Sequence, residues 1–168
     1  ILLKLNLKIK EQIISMTQTK GLKRNSIDKY YTKNNVVDLC LELVKKYIEI
    51  NANDLIIEPS AGNGSFIDGI RELTNNYIFY DLEPDNNEII IQDYLLYDYT
   101  IVKNDYNKIH IIGNPPFGRQ SSLAIKFIKK SCEFCDSISF ILPKSFKKES
   151  LKNKIPLKFH LIFENDLP

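Results

Sequence analysis

The feature that most limits the fold of this chain is a series of short, unbroken apolar runs, each closed at its carboxyl end by polar or bend-forming residues. Leu55-Ile56-Ile57 runs into Glu58-Pro59, and Tyr77-Ile78-Phe79-Tyr80 stops at Asp81-Leu82-Glu83-Pro84. Glu88–Ile91 leads to Asp93, and His110–Gly113 leads to Asn114-Pro115-Pro116-Phe117. Ser137–Leu142 and Lys158–Phe163 are two further runs. Unbroken rather than alternating apolar residues fit strands covered on both faces. Helical patterns lie between them. Asn35–Ile50 sets Val36, Val37, Cys40, Leu41, Val44, Tyr47 and Ile48 at helical spacing, Gly64–Leu73 follows the first run, and Ser121–Cys135 turns Leu123, Ile125, Phe127 and Ile128 inward. The alternation predicts an α/β domain with a mostly parallel central sheet and helices on both faces. Ligands of such sheets bind outside the carboxyl ends of the strands, so four polar strand ends are expected to share one edge.

At 168 residues and 19.5 kDa the length corresponds to about one domain. Apolar residues at 43% and charged residues at 26% exclude a wholly disordered chain. No apolar run approaches the ~18 residues of a membrane span, so no membrane partner is expected. Three cysteines, an odd number, do not form a secreted disulfide framework. The expected setting is intracellular, cytoplasmic or nuclear.

Residues 1–33 read as a basic N-terminal arm or helix, with Ile1–Ile14 as a basic amphipathic helix and Thr17–Lys33 as a loop or arm, ahead of a catalytic domain at 34–168. Met16 is the only methionine, so part of residues 1–15 is read as non-native or as the remnant of a cut start. The carboxyl end is read as truncated.

The net charge of +2 is unevenly spread. Residues 1–33 hold eight Lys/Arg against two acids, residues 34–118 five against fourteen, and residues 119–158 ten against three. Basic segments on either side of an acidic middle point to an anionic macromolecular partner, the plainer alternative being solvated lysine faces. Lysine outnumbers arginine, which favours attraction to a phosphate backbone over reading of base edges.

Two constellations carry chemistry. The first is Glu58-Pro59-Ser60-Ala61-Gly62-Asn63-Gly64-Ser65-Phe66, a glycine pair between a strand and a helix. It lacks the Gly-Lys-Ser/Thr ending of a P-loop and the Gly-x-Gly-x-x-Gly dinucleotide pattern. It reads as a loop for a nucleoside-sized ligand, with an ordinary glycine turn as the alternative. Asp81, at the next strand end, is placed to accept both hydroxyls of a ribose diol. Asp93 could accept from an adenine amino group with Tyr94 packed on the ring, or serve only as a turn cap.

The second is Asn114-Pro115-Pro116-Phe117. Two prolines cannot continue a central strand, and they make a rigid loop. That loop presents the Asn114 side-chain oxygen and the Pro115 carbonyl, two acceptors for the two N–H donors of a planar amino group. Binding both aims the nitrogen lone pair and stabilises positive charge developing on it. Phe117 offers a stacking face for a flat substrate.

On these residues the sequence resembles the S-adenosylmethionine-dependent amino-methyltransferases whose catalytic motif is Asn/Asp-Pro-Pro-Phe/Tyr, over about Tyr30 to Phe163. Asn114-Pro115-Pro116-Phe117 matches that motif in full, and the Glu58–Phe66 loop is similar to the cofactor loop of the Taq-type adenine methyltransferases. Tyr31-Thr32 resembles their methionine-side motif, with Lys33 where proline is usual. Asp81 falls on the ribose-binding acid, Asp93-Tyr94 on the adenine-binding pair, and Phe140–Phe146 on a wall of the target pocket. Cofactor motifs precede the catalytic motif, as in the gamma arrangement.

The resemblance implies a Rossmann-like methyltransferase fold, here short of its last strand. It implies S-adenosyl-L-methionine as cofactor, held by Tyr31, Thr32, Glu58, Pro59, Ser60, Ala61, Gly62, Gly64, Phe66, Asp81, Asp93 and Tyr94, with Asn114, Pro115, Pro116 and Phe117 as the catalytic set and no metal. The expected reaction is methylation of an exocyclic amino group, with adenine N6 of DNA or RNA ranked first. The alternatives are a glutamine-N5 protein methyltransferase and a catalytically incomplete nucleic-acid-binding subunit. No recognition domain is evident, so a protein partner is expected to supply it. Cys132-x-x-Cys135 lacks the second pair of a zinc site, Cys40 reads as core, and His110 and His160 read as structural. Lys144, Lys147 and Lys148 are candidates for phosphate contact or a plain solvated loop.

Overall fold

A computed structural model describes residues 2–5, 13–18 and 31–167. Its centre is five parallel strands: β3 (Leu55–Glu58), β4 (Tyr77–Asp81), β5 (Ile90–Ile91), β6 (Ile109–Gly113) and β7 (Ser137–Pro143). Their spatial order is β7-β6-β3-β4-β5. The chain therefore moves outward in one direction from β3 and, after β5, returns to the middle and moves out in the other. Ile57 is the hinge of this arrangement, in register with Ile111 on β6 and Ile78 on β4. Right-handed crossovers then put α2 (Ile67–Arg71) and α3 (Ser122–Ser131) on opposite faces of the sheet. The unbroken runs are covered as expected, with Leu55, Ile56, Ile57, Ile111, Ile138 and Leu142 fully buried.

The first long helix, α1 (Asn34–Tyr47), buries Val37, Cys40, Leu41 and Val44 and carries Lys45 and Lys46 in its last turn, where cations suit the helix dipole. It packs closely on α2, since a Cβ at Gly69 would lie 2.1 Å from Leu41 Cδ1. The expected helix over 64–73 is shorter than its apolar pattern. Gly64 has φ +86°, so the chain turns there and α2 starts only at Ile67. The run at Glu88–Ile91 likewise contributes only Ile90–Ile91, because the Asn86 side chain accepts from the Glu88 amide and holds a turn.

The N-terminal segment corrects one expectation. Ile1–Ile14 is not a helix where it is described: Leu2–Leu5 forms β1 and Ile13–Gln18 forms β2. The last strand, β8 (Phe159–Asp166), extends the expected Lys158–Phe163 run. β1 pairs antiparallel with Ser137–Ser139 of β7 and Phe159–Leu161 of β8. β2 pairs parallel with Ile141–Pro143 and with residues 162–166. The open edges of β7 and β8 thus recruit a distant segment as strand, and long-range pairing overrides a local helical pattern. The expected loop at Thr17–Lys33 lies mostly outside the described residues.

At the amino ends of the strands, opposite the candidate site, Asp54, His110 and Ser137 form a buried polar row. His110 Nδ1 pairs with Ser137 Oγ at 2.7 Å and Nε2 with Asp54 Oδ2 at 3.3 Å. Burial lowers the His110 pKa against the pull of Asp54. For Asp54 burial pushes the carboxyl up, but hydrogen bonds from the Asn51 amide and His110 outweigh it and leave it below its ordinary value. This row accounts for His110 as a structural residue.

Candidate active site at the carboxyl ends of the central strands

The place where the strand order reverses, between β3 and β6, is where open α/β sheets bind ligands. Here it brings the two constellations together. The glycine loop leaves β3, turns through Gly62 (φ +57°) and Gly64 (φ +86°), and is tied to β4 by the Ala61 amide donating to the Tyr80 carbonyl at 2.8 Å. The Gly62 amide donates to Asp81 Oδ2 at 2.8 Å and the Glu83 amide to Oδ1 at 2.9 Å. Asp81 therefore first shapes the loop. A carboxylate has about four lone-pair sites, so capacity for a diol remains. The Tyr31 ring lies over Gly62, 3.6 Å from where a Cβ would be, and its hydroxyl donates to Asp85.

Glu58, the last residue of β3, is 2% exposed, and its Oε2 has no hydrogen-bond partner. Burial, then the nearby Asp81 charge, push its carboxyl up to about 8. Next to it on β6, Gly113 has φ +151°, and a Cβ there would sit 3.1 Å from Glu58 Cγ. The positive φ therefore favours glycine at the entrance to the Asn-Pro-Pro-Phe loop, and a side chain there would press on the Glu58 methylene.

The loop itself is anchored from three sides. Ser60 Oγ donates to the Asn114 carbonyl oxygen at 3.2 Å, and Asn114 Nδ2 donates to Thr32 Oγ1 at 3.3 Å. The Phe117 carbonyl accepts from the Leu123 and Ala124 amides at the start of α3. Pro115 is buried, while Asn114, Pro116 and Phe117 are half-buried. Just beyond, Gln120 (φ 53°) and Ser121 (φ 61°) are both left-handed without being glycine, strain of a kind that collects at functional sites. Ser121 Oγ lies 3.1 Å from Ser145 Oγ, which brings the segment after β7 against this loop.

Several of the expected residues already have partners within the fold. Tyr94 is 1% exposed, its hydroxyl 2.8 Å from Ser131 Oγ and its ring packed against Tyr97 and Phe127. It is a core residue with no face open to a ligand. Asp93 accepts from the Leu95 amide at 2.9 Å, so the capping alternative holds for one of its oxygens. Phe66 is also buried, at the start of α2. Lys147 pairs with Asp166 at 3.0 Å, and Lys144 Nζ lies 4.0 Å from the same carboxylate. Cys132 and Cys135 are buried with their thiols pushed up, Cys132 to about 12. Among the described residues no group of three or more His, Cys, Asp or Glu could hold a metal, and no helix is long and apolar enough to cross a membrane. The anchoring by Ser60 and the left-handed pair at 120–121 were not visible in the sequence. A serine within a glycine turn carries no sign of its distant partner.

No protein-family model matches the chain. It is similar to the Type II methyltransferases M.HincII and M.HindII of Haemophilus influenzae, at 31% identity over 105 residues in each case. These stretches cover 61% of this chain and 19% of each relative. It is also similar to the Ribosomal RNA small subunit methyltransferase A of Mycoplasma mycoides subsp. mycoides SC, at 29% identity over 143 residues, covering 75% of this chain and 53% of that protein. All three relatives are methyltransferases. The chain spans only a part of each. With its parallel sheet and flanking helices, the architecture is the Rossmann-like methyltransferase fold.

Proposed function

We propose that this chain is the catalytic part of an S-adenosylmethionine-dependent methyltransferase acting on an exocyclic amino group of nucleic acid, with adenine N6 ranked first. The observation that carries the reading is the bond from Ser60, in the glycine loop, to the Asn114 carbonyl, in the Asn-Pro-Pro-Phe loop. It joins a nucleoside-sized cradle to a pair of acceptors for an amino group. The cradle fits the cofactor: two positive-φ glycines turn the loop tightly at the end of β3, and a buried carboxyl with an orphaned oxygen lies at that end of the sheet. The name of one relative, a ribosomal RNA methyltransferase, supports nucleic acid as the target class.

Bound there, the cofactor supplies an electrophilic methyl group on a positively charged sulfur. The residues of the chain then have two tasks. Asp81, and Asp93 through its remaining oxygen, hold the nucleoside portion, while Thr32, Glu58 and the Pro59–Gly64 backbone line the amino-acid side. Asn114 Oδ1 and the Pro115 carbonyl accept the two amino hydrogens, with Phe117 stacked on the base. Alignment of nitrogen, methyl and sulfur is the main contribution. The cofactor would supply the methyl group and its sulfur would take the electrons of the broken bond; the amino proton would leave to solvent afterwards, so no strong base is required beside Asn114. A base in duplex DNA must first leave the stack, at a cost of a few kcal/mol. Target recognition from a protein partner belongs to the same proposal.

The test uses isotope-labelled S-adenosylmethionine with duplex DNA, total RNA and protein extract, followed by hydrolysis. Label in N6-methyladenine is the expected result, and its origin distinguishes DNA from RNA. Label in glutamine would reassign the target. Failure to bind the cofactor would overturn the reading.

A further inference from the structure

We propose that the open edge of the sheet at β5 is a docking surface for a second protein, which lays an extended aliphatic segment flanked by lysine or arginine beside Ile90 and Ile91. The inference gives a place and a chemistry to the recognition partner of the methyltransferase reading, and rests on that reading only for the partner's role.

β5 closes the strand order, with β4 on one side and no strand on the other among the described residues. An edge strand offers backbone N–H and C=O groups to any chain that lies alongside it. Successive strand residues point to opposite faces of a sheet. Ile90 is 54% exposed and Ile91 74% exposed, so β5 is apolar and uncovered on both faces. Leu82 extends the patch, because it follows Asp81, the register partner of Ile91, and is exposed as well. Leu96 and Ile101, in the short helical turns over 94–96 and 99–101, are exposed on the chain that leaves β5. Five of the eight exposed large apolar side chains among the described residues thus fall within 82–101. Grouped apolar surface marks an interaction site where scattered residues do not.

Charge selects the occupant. Residues 72–102 hold seven acids and no lysine, arginine or histidine. Two of these acids are met from outside the segment, Glu72 by Lys45 and Glu88 by Arg71. The remainder leave the edge negative, which repels a phosphate backbone and draws in lysine and arginine. Nucleic acid is therefore not the occupant. A second copy joined through the same edge would set acid against acid, since a two-fold contact brings identical patches together. A foreign strand with aliphatic residues for Ile90 and Ile91 and flanking cations for the acids satisfies backbone, apolar and charged groups at once, as in recognition by strand addition. β5 lies three strands from β6, roughly 14 Å at the usual strand spacing, so its occupant leaves the Asn-Pro-Pro-Phe loop open to a target.

The test uses the whole chain and three labelled hexapeptides, read by fluorescence anisotropy: alternating valine and lysine, valine and glutamate, and serine and lysine. The valine–lysine peptide is expected to bind roughly tenfold or more tightly than the other two. Ile90→Lys together with Ile91→Lys, checked as folded by its melting curve, should weaken that binding by about tenfold or more. Equal binding of the serine–lysine peptide would reduce the surface to charge alone and overturn the proposal. No binding of the valine–lysine peptide would overturn it too, as would binding unchanged in the double variant. Sedimentation of the chain by itself is expected to show a monomer, and a dimer abolished in the double variant would give the edge to a second copy instead. S-adenosylmethionine binding, followed by calorimetry, should be the same in the parent and the double variant. Cofactor binding without peptide binding would overturn the docking surface and leave the methyltransferase reading standing. Peptide binding without cofactor binding would do the reverse.

Discussion

Ser60 Oγ donates to the Asn114 carbonyl oxygen at 3.2 Å and so ties the loop after β3 to the loop after β6. The carbonyl belongs to the peptide that precedes Pro115, so the bond fixes the plane from which both the Asn114 side chain and the Pro115 carbonyl project. Ser60→Ala removes a neutral hydrogen bond worth about 1 kcal/mol. It is expected to lower the single-turnover methylation rate roughly fivefold while cofactor affinity changes less. Ser60→Thr should restore most of the rate. An equal loss in both quantities would instead place Ser60 on the cofactor.

Asn114→Ala removes one of the two acceptors proposed for the amino group, along with the bond to Thr32. Loss of one oriented dipole at a developing charge costs on the order of 10²–10³ in rate. Methylation should fall by that factor or more, with cofactor binding by calorimetry retained.

Gly113→Ala meets two obstacles, a φ of +151° and a Cβ 3.1 Å from Glu58 Cγ. The expected cost is about 1–3 kcal/mol in denaturant unfolding. Part of that cost should be relieved in the double variant with Glu58→Ala, since the two residues compete for the same space.

The raised Glu58 carboxyl makes stability of the free protein depend on pH with a definite sign. The folded form keeps its proton up to about 8, whereas the ordinary value is 4.5, so between these limits the unfolded chain binds fewer protons. Stability from this group is complete below about pH 4.5 and is lost as pH rises through 8. Glu58→Gln should therefore melt progressively higher than the parent as pH rises from 5 to 8, by on the order of 5 °C at the upper end.

His110 acts in the other direction. Its folded value lies below 6.5, so the unfolded chain gains a proton first on acidification. The stability of the Asp54–His110–Ser137 row is present above about pH 6.5 and is lost below it. The gap in melting temperature between the parent and His110→Gln should narrow as pH falls from 7 to 5.

Much of this was legible in the sequence because the central strands are locally unambiguous. Leu55–Ile57, Tyr77–Tyr80, Ile111–Gly113 and Phe140–Leu142 are apolar without interruption, and a strand buried on both faces needs little else. What escaped depends on contacts between distant residues. Tyr94 follows an acid at a strand end, the place of a ligand-facing ring, yet Ser131 in α3 supplies its hydroxyl partner and takes it into the core. Residues 2–5 and 13–18 have apolar spacing compatible with more than one element, and the open edges of β7 and β8 decide it. The isolation of Glu58 is a property of its neighbours, Gly113 and Asp81, and not of the residue.

The pairing of β1 and β2 with β7 and β8 also sets an order of events during synthesis. Strands β3 to β6 find their partners among one another as they emerge. β1 and β2 precede all of these, yet their hydrogen-bonding partners on β7 and β8 lie at the far end of this chain. β1 and β2 therefore wait for β7 and β8 before they are paired, and during that interval they are exposed to any chaperone or neighbouring strand able to engage them.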